Sequence, residues 1–176
     1  MKLYVAAFPK LSAQEQWIHD IRLKHDPVAC LVQPHLTLVF PSMLLAPEEL
    51  RQEVTKLVRG FDPFRVALRS AVVMPEIGNS RNHAHVFLVP DEGFGQIVRL
   101  HDRLYSGVLA PELRLDIPFV PHLTVAAALG LSQAKAVADE LNATKFQVGF
   151  DIAELKIVEI REQDTDRLLS VPIPLG

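Results

Sequence analysis

Two copies of one four-residue string stand out in the 176-residue chain: Pro34-His35-Leu36-Thr37 and Pro121-His122-Leu123-Thr124. Imidazole changes charge near neutral pH, so one histidine can take a proton while the other gives one in the same turnover. A threonine hydroxyl can donate a hydrogen bond to an anionic oxygen. Two imidazoles and two hydroxyls around one phosphorus are sufficient for metal-free in-line attack on a phosphodiester. One histidine deprotonates the attacking hydroxyl or water, and the other protonates the departing oxygen. Without a ligand, four such groups buried together would be costly to satisfy. No carboxylate cluster and no cysteine set with metal-ligand spacing offers a competing chemistry.

Both strings run into apolar segments that read as strands, residues 36–40 and 123–127. Residues two apart on a strand share a face. His35 therefore points with Thr37 and His122 with Thr124, while Leu36 and Leu123 turn to the opposite face, into a core.

The surrounding elements repeat as well. Residues 2–9 and 83–90 each read as a strand ending in proline, with a helix after it. Ser12 and Glu15 have the spacing of a capping box ahead of Trp17, Ile18 and Ile21. The matching helix carries Phe94, Ile97, Leu100, Leu104 and Tyr105 and stops near Gly107. A second helix follows each motif. One opens at Pro47 and buries Leu50, Val54, Leu57 and Val58; the other, capped by Ser132, buries Ala134, Val137, Ala138 and Leu141. Alternating segments 64–69 and 146–151 then read as matched strands. More strand follows at 71–74 and 155–160, with a bulge or break expected near Ala153.

The expected architecture is α+β: a single bilobal domain over 1–176, with an internal repeat of about 1–80 and 82–162. Its two lobes, related by a pseudo-twofold axis, hold mainly antiparallel sheet with helices outside and a central cleft. A last short strand within 167–173 is expected to complete the second sheet. No linker separates the halves, and about 80 residues apiece is small for independent domains.

Composition narrows the function classes. The chain is 49% hydrophobic and 22% charged, with a net charge of −3. That balance suits a packed globular domain and argues against broad, non-specific binding of DNA or long RNA, which draws on basic side chains. Cys30, the single cysteine, excludes a scaffold of internal disulfides. The longest mostly apolar stretch, 119–131, is too short for a spanning helix. A cytoplasmic location is expected, with no membrane partner.

The paired His-x-Thr strings resemble those of the 2H phosphoesterase superfamily, which includes 2′-5′ RNA ligase-like proteins and cyclic phosphodiesterases. The resemblance covers essentially the whole chain. It implies metal-independent action, with no cofactor, on a 2′,3′-cyclic phosphate or a 2′-5′ linkage, reversible as ligation. It also implies that His35 and His122 form the acid–base pair, and that Thr37 and Thr124 bind phosphate. By the same resemblance His35 would be the acid and His122 the base. The sequence departs from the ligase-like branch after the second motif, where Ala126, Ala127 and Ala128 replace an expected basic residue. The first motif continues as Val39-Phe40-Pro41 without a lysine. The expected partner is therefore a small nucleotide or RNA end, not DNA, met by a monomer. The alternative is a non-catalytic module holding the same ligand in the same cleft.

Other residues carry blander expectations. His83 and His85, two apart on a strand, could face the cleft or bind a metal but read first as an exposed or strand-edge pair. Arg81, whose loop could overhang the site, reads first as a solvated loop residue. Tyr4, Phe40 and Phe119 read as core aromatics that could otherwise stack a base. His19, His25 and His101 fall on helices.

Overall fold

The computed structural model describes residues 1–76, 83–160, 167–168 and 172–176. Alternation sets its strands. In β1 (Lys2–Ala7), Leu3, Val5 and Ala7 join the main core, while Tyr4 and Ala6 turn to the other face. In β2 (Leu36–Ser42), Leu36 and Leu38 are buried and Thr37 turns outward. The same division recurs in β4 (His83–Glu92) and β5 (Leu123–Gly130): Ala84, Val86, Leu88, Leu123 and Val125 are fully buried. Their alternate neighbours His83, His85, Phe87 and Thr124 are half-buried on the other face.

The helices start and stop largely as expected. Ser12 and Glu15 form the capping box, but they cap a 3₁₀ turn (Ala13–Glu15) before α1 (Gln16–His25) begins. Pro47 opens α2 (Pro47–Val58), where the Glu49 carboxylate accepts from the Ala46 N–H at 2.9 Å. α3 (Phe94–Leu104) follows β4 directly. α4 (Leu131–Ala143) differs in detail: Gly130 takes the N-cap position without a side-chain bond, and Ser132 lies inside the helix.

Two antiparallel sheets result. One runs β2-β1-β7, with both β8 (Arg167–Leu168) and β9 (Ile173–Pro174) paired to β7 (Glu154–Ile160). The other runs β5-β4-β3-β6, with β3 at Phe64–Pro75 and β6 at Val148–Ile152. Segments 64–69 and 71–74 are one continuous strand, whereas 146–151 and 155–160 part at Ala153 as expected. The reason is where each goes. β6 pairs with β3, and β7 crosses to pair with β1. The described ends of the expected last strand, 167–168 and 173–174, follow β7 and so complete the first sheet, not the second. Residues 169–171 and the loop containing Arg81 lie outside the described residues.

The helices cross over too. α1 follows β1 but packs on β5, and α3 follows β4 but packs on β2. α2 joins α3 and β7, while α4 covers β3, β4 and β5. Each lobe therefore draws on both halves of the chain. The matched segments meet each other: Val66 pairs with Phe150, Ala67 with Gly149 and Leu68 with Val148. Aligned in order, 64–69 against 146–151, the first and last of these pairs exchange mates, and Ala67–Gly149 is its own mate. A local twofold between the two strands passes through that pair.

Among the described residues, no helix is long and apolar enough to cross a membrane. The turn from β4 into α3 depends on Gly93, whose φ is +82°. A Cβ there would meet the Arg65 carbonyl oxygen at 2.5 Å and Val66 Cγ2 at 2.9 Å. Gly93→Ala should destabilise the fold by about 1–3 kcal/mol. A lowered urea midpoint checks this; an unchanged midpoint would refute the steric account.

Candidate active site

Each histidine stands one residue ahead of its strand, on the threonine side of the sheet. The proline before it is buried. Having no N–H, that proline needs no acceptor at the mouth of the strand. The two imidazoles are held alike. Nδ1 of His35 lies 2.8 Å from the Gln33 carbonyl oxygen, and Nδ1 of His122 lies 2.6 Å from that of Val120. A carbonyl only accepts, so in the neutral rings Nδ1 carries the proton and Nε2 the lone pair. The repeated spacing thus sets one tautomer at both sites.

The threonines keep the same frame. Thr37 pairs across the ladder with Ala6, and Thr124 with Phe87. A cavity of about 320 Å³ brings His35 from one sheet together with His85, Phe87 and Thr124 from the other. A second, of about 350 Å³, is lined by His122, Val120, Phe40, Met74, His85 and Phe87 among others. The two cavities share His85 and Phe87. The structure therefore brings His35 and Thr124 into one cavity and sets His122 in the adjoining one, while Thr37 lines neither.

The surroundings of the two histidines differ. His35 has Tyr4 and Phe8 at centroid distances of 5.4 and 5.5 Å, tilted against its ring. His122 is stacked on Phe87 at 3.5 Å, and Phe87 stacks in turn on His85. Desolvation pushes the His122 pKa down to about 4; the Val120 carbonyl pulls it up, and the nearby charges of His35 and His85 push it down. His122 is thus a neutral lone-pair donor through the whole neutral range.

His85 is the residue that pattern reading undervalued. β4 is an interior strand between β5 and β3, so His83 and His85 are not a strand-edge pair, and both are half-buried. His85 lines both cavities, whereas His83 stands 4.0 Å from the Glu76 carboxylate. The phase of β4 held the clue: 83, 85 and 87 share the face opposite the buried 84, 86 and 88. Of the aromatics, Tyr4 is buried beside His35, and Phe40 reaches the second cavity. Phe119 is held by His101, stacked at 3.6 Å, next to the Val120 carbonyl that orients His122. The Tyr105 hydroxyl accepts from the Phe40 N–H at 2.9 Å. Among the described residues, no group of three or more His, Cys, Asp or Glu side chains is placed to hold a metal ion.

Comparisons with known proteins bear on the family and the fold. The sequence model described as "2'-5' RNA ligase superfamily" matches residues 9–164. A Bacillus licheniformis protein provisionally named a phosphoesterase is 29% identical over 130 residues, covering 73% of this chain and 72% of its own. A crystal structure from Thermus thermophilus aligns with a TM-score of 0.59 at 22% identity, over 98% of each chain. Escherichia coli LigT complexed with 3′-AMP aligns with a TM-score of 0.58 at 16% identity, over 99% of this chain and 97% of that one. At these identities the two structures establish a shared fold.

The His122 environment has a measurable consequence. Between pH 6.5 and about 4 an unfolded histidine takes up a proton that native His122 refuses. The unfolded state then binds more protons, so stability is kept above this window and falls as pH drops through it. The His122 ring signals in NMR should titrate with a midpoint near pH 4. The associated loss of stability should be roughly 2–3 kcal/mol, and it should be absent from His122→Asn. A midpoint near 6.5 would refute the burial argument.

Proposed function

The chain belongs to the 2′-5′ RNA ligase superfamily, and on that premise we propose that it is a phosphodiesterase that opens 2′,3′-cyclic phosphates by histidine acid–base catalysis, needing no metal. The observation carrying this reading is the matched carbonyl clamp on His35 and His122, which turns two equivalent Nε2 atoms to the same task. The 3′-AMP held by the E. coli neighbour supports a nucleotide or RNA end as substrate. The working protein would be a cytoplasmic monomer.

In this scheme His122, neutral with its lone pair on Nε2, takes a proton from water as the water oxygen bonds to phosphorus. The bond from phosphorus to the 3′ oxygen breaks in line. His35, entering the cycle protonated, gives its proton to that leaving oxygen, and a 2′-phosphate results. Thr37 and Thr124 donate to the non-bridging oxygens. The bound phosphate anion favours the imidazolium, so its arrival raises the His122 pKa toward the working range. With a 5′-hydroxyl in place of water, the same steps in the same sense join ends through a 2′-5′ bond, and their reverse cleaves that bond back to the cyclic phosphate and the free 5′-hydroxyl.

The test is turnover of the four nucleoside 2′,3′-cyclic phosphates in EDTA, with separation of 2′- from 3′-phosphate. His35→Ala and His122→Ala should each lose about 10²–10⁴ in kcat, and Thr37→Ala and Thr124→Ala less. A bell-shaped pH profile should accompany wild-type activity. Full activity in either histidine variant would refute the acid–base scheme. Saturable binding without product would instead leave a nucleotide-binding module.

A further inference from the structure

The four motif side chains are neutral or titratable, and none is a fixed cation. A phosphodiester is a fixed anion. After the second motif the chain is apolar, with Val125 and Ala126 buried and Ala127 on the cavity wall. A permanent positive charge for the phosphate, one that does not leave with a transferred proton, has to come from another element. Among the described residues lining the cavity of His35 and Thr124, histidines apart, the one cation is Arg22.

Arg22 is an unusual place for a charge. It lies in the last turn of α1, which packs on β5, and its side chain is 4% exposed. Its Nε donates to Asp26 Oδ2 at 3.0 Å, its Nη2 lies 2.9 Å from the same oxygen, and its Nη1 donates to the Val32 carbonyl at 2.9 Å. The other carboxylate oxygen accepts from the Val28 N–H at 3.2 Å. Asp26 is thus occupied on both oxygens and 2% exposed at its side chain. Guanidinium carries five N–H donors. Two are used in hydrogen bonds, on Nε and Nη1, and Nη2 makes only the ion-pair contact with Asp26, so both terminal nitrogens keep a donor with no hydrogen-bond acceptor among the described residues. Buried charged donors left without an acceptor are costly, and a rigid fork of them suits phosphate oxygens. The same bonds fix the loop 26–34 that leads into Pro34 and His35, so the cation and the histidine are held by one device.

We infer that Arg22 is the phosphate-binding cation of this cleft, delivered from α1 and held by Asp26 and the Val32 carbonyl, and contacting the non-bridging oxygens of the phosphate that His35 and Thr124 also face. This rests on the phosphodiesterase reading for its role in turnover, but its binding role can be measured separately. Substituting Ala127 with an acidic residue would place a competing anion in the same cavity while leaving the Arg22–Asp26 pair intact.

The experiment is an NMR titration of the folded protein with inorganic phosphate, followed through the Thr124 amide and His35 ring signals. Wild type should bind saturably. Arg22→Met should weaken binding by about tenfold to a hundredfold, with Arg22→Lys in between. Ala127→Glu should weaken it comparably by setting an anion on the cavity wall. If Arg22→Met does not fold, the Arg22 Nε–H signal of wild type decides the matter, because it should shift saturably with phosphate and a purely structural Arg22 would leave it unmoved. Lys156, on the same face as Tyr4 and Ala6 but poised over the Phe8 ring outside this cavity, is the control, and Lys156→Met should bind as wild type does. Undiminished binding in folded Arg22→Met or Ala127→Glu would overturn the inference. So would loss of binding in Lys156→Met instead, or the absence of phosphate binding in wild type. If phosphate binds through Arg22 but no cyclic phosphate is turned over, the phosphodiesterase reading fails and the subsite stands.

Discussion

Two backbone carbonyl oxygens, those of Gln33 and Val120, fix how the two motif histidines are presented. Each accepts from the Nδ1 of the histidine two residues on. An imidazole that could rotate or change tautomer would present the wrong nitrogen for part of the time. Here the choice is made by main chain, which the strand beyond it holds in register. The buried prolines at 34 and 121 belong to the same device. A proline restricts the residue before it to extended backbone and removes a donor that burial would otherwise leave unsatisfied. The rest of the fold sets the two clamps on adjoining cavities that share His85 and Phe87.

Identical clamps do not make identical histidines. The residue pairing with the motif threonine is Ala6 on one sheet and Phe87 on the other. The Phe87 ring stacks on the second histidine, whereas the first has tilted neighbours, Tyr4 and Phe8. Desolvation then favours the neutral form of His122. An acid–base pair needs two groups of unlike proton affinity, and a repeated motif alone would supply two alike. In the proposed scheme the difference between the two histidines therefore arises in β1 and β4, in strands that carry no motif residue.

The exchange of elements between lobes explains why the cleft is well defined. α1 and α3 each pack on the sheet that their own preceding strand does not join, and β7 crosses to β1 after β6 has paired with β3. Pulling the lobes apart would uncover helix–sheet contacts and break the continuity of a single apolar core. A cleft between two independently folded units would have only a loose interface to set its width. The covalent order of this chain ties the two faces together several times over.

The local order was legible along the chain. Period-two alternation identified the strands, apolar spacing and Pro47 identified the helices, and the repeated motif identified His35, His122, Thr37 and Thr124 as side chains sharing a face. These are properties of neighbours along the chain, set by backbone geometry and by which residues avoid water. Which strand pairs with which was not legible, because β7 is equally suited by its alternation to either sheet. The place of Arg22 was hidden for the same reason. Along the helix it sits one turn after Ile18 and reads as an ordinary polar residue near a C-terminus. Only the packing of α1 against β5 buries it beside Ala127. His85 lay between the two cases: its face could be read from alternation, but the cleft it faces could not. Sequence determined the main strands and helices and the face on which their side chains lie, though not every boundary. Tertiary structure decided which of those faces meet, because pairing and helix docking depend on distant surfaces that no local pattern records.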